Sequence, residues 1–119
     1  DLMAISRLVH LAGMLGRSVA ISSATIPPDL AEGLFCAYQA GRSCYREFFQ
    51  KDSKIACVWC DEFHTTAAVI PEKDRQHACD AYRKYHNDFV LRRVKKLEQR
   101  LRNFILMISN LLSQDQPKS

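Results

Sequence analysis

From Asp74 to Leu112 the chain contains neither Gly nor Pro, and its apolar residues keep helical time throughout. Tyr82, Tyr85, Phe89, Val94, Leu97, Leu101, Phe104, Ile108 and Leu111 follow mostly 3/4 spacing. The spacing predicts one helix over 74–112, on the order of 55 Å long at the usual rise per residue. A compact chain of this length has a radius of gyration of about 13 to 14 Å. Such a helix must therefore kink or reach beyond its own domain. Gln114–Ser119 reads as a polar tail, within a terminal unit 113–119.

The first half is patterned differently. Leu2, Ile5, Leu8, Val9, Ala12 and Leu15 predict a helix over 2–15, stopped by Gly16. Ser18-Val19-Ala20-Ile21-Ser22 is short, with small or apolar residues on both faces. That composition suits an interior strand of a parallel sheet, covered on both sides. Pro27 and Pro28 end it, and Pro28 fits the first turn of a second helix. Asp29 and Glu32 favour that terminus through the helix dipole. Leu30, Leu34, Phe35 and Tyr38 form its buried face, and Gly41 closes it, so the expected range is 28–40. Arg42–Ser53 is mixed, a short helix or an irregular strand. Ile55–Cys60 reads as a strand and Asp61–Pro71 as loop.

The expected fold class is thus α/β and helix-rich. A helix–strand–helix unit spans 1–50, a connecting strand and loop 51–73, and a long basic helix 74–112. No stretch approaches the ~18 uninterrupted apolar residues of a membrane span, so no membrane partner is expected. Five Cys without regular spacing make a poor disulfide framework and suit a reducing cytoplasm. The chain starts at Asp1 with the helical pattern already running, and no charged leader with a cleavage site is visible. A piece of a longer protein is the expectation.

Chemistry concentrates in Ser22-Ser23-Ala24-Thr25-Ile26-Pro27-Pro28. Ligands of open α/β sheets lie beyond the carboxyl ends of the strands, where Ser23 and Thr25 would offer hydroxyls that donate or accept. The plainer reading is that they merely end a strand and cap a helix.

Ser23-Ala24-Thr25 followed by an apolar residue and Pro resembles motif III of superfamily 2 helicases. The longer runs are more particular: Asp1–His10, Ala12–Gly16, Ile21–Pro28, Glu32–Phe35 and Ala37–Arg42 together resemble the CRISPR-associated helicase–nucleases of type I-F systems, and Trp59–Phe63 does so more loosely. In that family an adaptation-type subunit, an HD nuclease and two RecA-like helicase domains are fused. The resemblance implies that 1–50 is the C-terminal part of the first RecA-like domain and that 74–112 leads toward the second.

By the same resemblance, the parent would be a bacterial cytoplasmic enzyme. It would use ATP and Mg to translocate on single-stranded DNA and a divalent metal to degrade it. Its partners would be an RNA-guided surveillance complex and a CRISPR integrase subunit. Ser23, Ala24 and Thr25 would couple hydrolysis to unwinding. The Gly-x-x-x-x-Gly-Lys-Ser/Thr loop, the magnesium-holding acidic box and a His-Asp nuclease pair are absent from the sequence. No catalytic residue is therefore expected in this segment. It should be inactive alone and bind no cofactor by itself.

Other constellations are weaker. Cys57 and Cys60, three apart in a strand, fall on opposite faces and make a poor zinc pair, so no metal site is expected and buried apolar cysteines are. Asp61, Glu62 and His64 read as a solvated loop. Arg92, Arg93, Lys95 and Lys96, with Arg100 and Arg102, give helix 74–112 a positive surface in which Glu98 is the one acid between Leu91 and Arg102. They would contact phosphates or form a solvated outer face.

A non-enzymatic helical module binding a protein or nucleic acid is the competing reading. An isolated strand 18–23 lacks sheet partners. The chain is accordingly expected to oligomerise, to adopt a rearranged helix-rich fold, or to need segments from elsewhere.

Overall fold

The computed structural model describes residues 2–23, 26–49, 54–71 and 74–114. Five elements follow in order: α1 (Leu2–Met14), α2 (Pro28–Phe49), β1 (Lys54–Cys60), β2 (Thr65–Pro71) and α3 (Arg75–Gln114).

The long helix forms as its pattern requires. α3 is unbroken over 40 residues, and the molecule extends 81 Å along its longest axis. Its radius of gyration, 20.7 Å, is well above that of a compact domain of this size. Asp74 starts α3, its carbonyl accepting from the Ala78 amide at 3.0 Å.

α1 and α2 cross at two glycines. A β-carbon on Gly41 would collide with the His10 carbonyl and stand 2.9 Å from the Met14 nitrogen. One on Gly13 would stand 2.9 Å from the Arg42 nitrogen. Gly41 is therefore not a helix stop. It is a contact point inside α2, which continues past the expected 40 to Phe49. The contacting pairs advance together (His10 with Ala37, Gly13 with Arg42, Gly16 with Tyr45), so the helices run the same way where they cross.

Asp61–Pro71 is not simply loop. Thr65–Pro71 forms β2, antiparallel to β1 from Lys54↔Pro71 to Cys60↔Thr65. Ile55 and Trp59 of β1 and Ile70 of β2 turn inward. Pro71, with no amide to donate, sits at the strand end where none is needed. This two-stranded pair is the sheet of the described residues.

Ser18–Ser22, expected as a buried parallel strand, is not a strand here. A strand needs a ladder partner, and β1 and β2 pair with each other. The segment is exposed, with Val19 and Ile21 open to solvent. The α/β expectation thus becomes a helix-rich chain with an antiparallel hairpin.

The core joins α2, the hairpin and α3 through Phe35, Ile55, Ile70, Ala78 and Cys79. Ile70 is 1% exposed, and burying a side chain of this size stabilises by about 1.5–3 kcal/mol. Phe35 and Tyr82 stack at 4.4 Å. Helix packing brings the sulfurs of Cys36 on α2 and Cys79 on α3 together, two positions that no spacing rule connects. Cys44, Cys57 and Cys60 are free thiols.

Candidate functional site

The candidate site is built on the segment between α1 and α2. At the end of α1 the Gly16 amide donates to the Gly13 carbonyl (3.0 Å) and the Arg17 amide to the Ala12 carbonyl (2.9 Å). Gly16 itself has φ +66°. This is the left-handed helix ending that favours glycine, and it turns the chain into the irregular run 17–23.

Two long-range hydrogen bonds fix that run. The Tyr38 hydroxyl donates to the Arg17 carbonyl at 2.7 Å. His86 Nε2 lies 3.2 Å from the Ile26 carbonyl, which accepts from it. Between these anchors, Ser18, Ser22 and Ser23 line a cleft of about 710 Å³. Its other walls include Leu34 and Tyr38 of α2, Cys57 and Trp59 of β1, and Tyr82, His86 and Arg93 of α3. Ser23 therefore lies at the wall of a large concavity. Ala24 and Thr25 lie outside the described residues.

α2 enters the site with its N-terminus tied down. Arg83 of α3 reaches Asp29 Oδ1 at 2.7 Å and also grips Glu32. Glu32 and Asp29 together raise the guanidinium pKa above its ordinary value. The two carboxylates expected to favour the helix dipole thus also clamp α2 to α3.

The four basic residues read from the sequence are divided. Arg92, Lys95 and Lys96 are exposed on α3. Arg93 turns to the hairpin and meets Glu62 Oε1 at 3.0 Å. Arg100 lies over the Phe63 ring at 4.6 Å. Arg93, which also lines the cleft, thus already holds a carboxylate.

Asp61, expected in a solvated loop, is largely covered and organises the hairpin turn. Its Oδ1 accepts from the Phe63 amide (2.8 Å) and the His64 amide (3.0 Å). Burial opposes ionisation of Asp61, but those two amides, with His64 and Arg93, outweigh it and hold the carboxyl below its usual range. The geometry serves the turn. Cys57 faces inward and Cys60 outward, as their spacing requires. Among the described residues no three metal-ligating side chains converge, and no helix is long and apolar enough to cross a membrane.

Tyr38, Arg83 and His86 escaped the sequence reading as site residues. His86 did carry a signal: with Tyr82 and Phe89 it continues the buried stripe of α3 at i, i+4 and i+7.

No family model matches the chain, and no solved structure matches it. Two curated proteins do, both named CRISPR-associated nuclease/helicase Cas3 subtype I-F/YPEST. The protein from Pseudomonas aeruginosa is 42% identical over 106 residues, covering 83% of this chain and 9% of that protein. The one from Pectobacterium atrosepticum is 39% identical over 106 residues, covering 87% of this chain and 8% of that protein. The chain thus spans under a tenth of the length of either relative. By sequence it belongs with the type I-F CRISPR-associated nuclease/helicases, corresponding to one short segment of them.

Proposed function

We propose that this chain is the motif III segment of a type I-F CRISPR-associated nuclease/helicase, and that Ser23, Ala24 and Thr25 couple ATP hydrolysis to strand separation there. The observation that carries the reading is the 42% identity over 106 residues to a protein of that name. The local architecture supports it. Two co-directional helices flank the 17–23 run, the positions that two helices around a strand would take in an α/β layer. Val19 and Ile21 stay exposed on that run, as on a strand whose sheet neighbours are supplied by other parts of a RecA-like domain.

In the whole enzyme Ser23 and Thr25 would hydrogen-bond to an acidic motif beside the nucleotide. Hydroxyls suit this role because they exchange donor and acceptor states as the γ-phosphate leaves, biasing domain closure. ATP with Mg supplies the driving energy, and a divalent metal serves the nuclease; both belong to other parts of the parent. The parent acts on single-stranded DNA in the bacterial cytoplasm, with an RNA-guided surveillance complex and a CRISPR integrase subunit as partners. The exposed Arg92, Lys95 and Lys96 would meet phosphates first, with Arg93 joining if it leaves Glu62.

The test is a structure of the intact enzyme with a nucleotide analogue. Residues 18–23 should pair within a parallel sheet, with the Ser23 and Thr25 hydroxyls at the nucleotide cleft. Finding them outside such a sheet would refute the reading.

A further inference from the structure

The residues that follow Thr25 in the chain are held from a single turn of α3. His86 Nε2 lies 3.2 Å from the Ile26 carbonyl. A carbonyl only accepts, so that ring nitrogen carries the proton. Arg83, one turn earlier on the same helix, binds Asp29 at 2.7 Å and also Glu32, both near the start of α2.

The grip is stiff on both sides. His86 is 6% exposed, and its ring stacks on Tyr82 at 6.1 Å. Its Nδ1 is buried with no partner among the described residues, so its hydrogen bonding rests on Nε2. On the other side, Pro27 and Pro28 have fixed φ, and Pro27 disfavours a helical backbone at Ile26. The Pro27 carbonyl then accepts from the Ala31 amide at 3.0 Å as α2 begins. Little freedom is left between Ile26 and the helix. α3 itself continues without a break to Gln114, so a shift of its far end reaches Ile26 through a rigid rod.

We propose that His86, assisted by Arg83, is a positioning residue for the Ser23–Thr25 motif: it ties the exit from that motif to α3, so that motion of α3 and the state of the motif are linked. This rests on the motif III reading. The packing of α2 on α3 through Phe35, Cys79 and Tyr82 does not pass through Ile26. The bond therefore sets where the segment sits and not whether the helices pack.

The anchor and its consequence are measured separately. Isotope labels at the isoleucine carbonyl carbon and the proline nitrogen together report only Ile–Pro bonds, which the chain has at 26–27 and 70–71. In the 119-residue chain, His86→Phe keeps a ring against Tyr82 and loses the donor. It should move the Ile26 carbonyl resonance upfield and leave that of Ile70 in place. His86→Gln, whose amide offers a donor near the position of Nε2, should leave both near wild type.

In the intact enzyme the readout is base pairs unwound per ATP hydrolysed. A variant that merely folds less well loses both activities together and leaves this ratio alone. His86→Phe should lower the ratio about three- to tenfold, the range that one hydrogen bond supports, and His86→Gln should stay within about twofold of wild type. Arg83→Gln, at the surface and tolerable for folding, should lower it about twofold. A stationary Ile26 resonance in His86→Phe, or a wild-type ratio in either His86→Phe or Arg83→Gln, would overturn the proposal. A wild-type ratio in Ser23→Ala with Thr25→Ala would overturn the motif III reading and this proposal with it, even where the Ile26 resonance moves as expected.

Discussion

The carbonyl oxygen of His10 occupies the space that a β-carbon on Gly41 would need. α1 and α2 therefore touch backbone to backbone, and this contact sets the position from which the 17–23 run departs. Gly41→Val should force the helices apart and cost about 1–3 kcal/mol. Gly33, on the same helix, has open space where a β-carbon would stand, with nothing within 4 Å. Gly33→Ala should instead stabilise by about 0.5–1 kcal/mol. Urea unfolding of both variants checks the pair, and equal effects would contradict the packing account.

The Tyr38 hydroxyl holds the Arg17 carbonyl at 2.7 Å. Tyr38→Phe removes that bond alone, at a cost of about 1 kcal/mol. Limited proteolysis should then cut faster within 17–23 while α3 stays intact. An unchanged cutting rate in 17–23 would show that this contact does not anchor the run.

Stability should fall on the alkaline side. Burial pushes the Cys57 thiol from 9.0 up to about 11. Burial, then the neighbouring Cys57, pushes the Tyr82 hydroxyl from 10.0 up to about 12. Above pH 9 the unfolded chain releases protons that the folded chain still holds, so stability present below that pH is lost progressively toward 12. Urea midpoints measured across this range should decline. Tyr82→Phe should flatten the upper part of the profile, and an unaltered profile would place the titration elsewhere.

What the residues disclosed follows their physics. α3 was legible because a helix is a local object and nothing from 74 to 112 interrupts it. β1 was legible from its apolar run, and Gly16 from its place after Leu15. β2 was missed because Thr65, Thr66, Ala67 and Ala68 carry little apolar signal, and only pairing with β1 makes them a strand. Gly41 misled because a glycine demanded by a neighbouring backbone looks the same in sequence as one ending a helix. Ser18–Ser22 reads as a strand, yet forming one depends on neighbours, which no single segment supplies. At the site, Ser23 lines the cleft, while the bond from His86 to Ile26 joins positions 60 residues apart and left no local trace.

The coupling role proposed for Ser23 and Thr25 is tested most directly in the intact enzyme carrying Ser23→Ala and Thr25→Ala, by measuring ATP hydrolysis and duplex unwinding in the same reaction. Hydrolysis should stay near wild type while unwinding falls by about tenfold or more, the equivalent of roughly 1.4 kcal/mol of lost coupling. Wild-type levels of both activities, or a parallel loss of both, would contradict it.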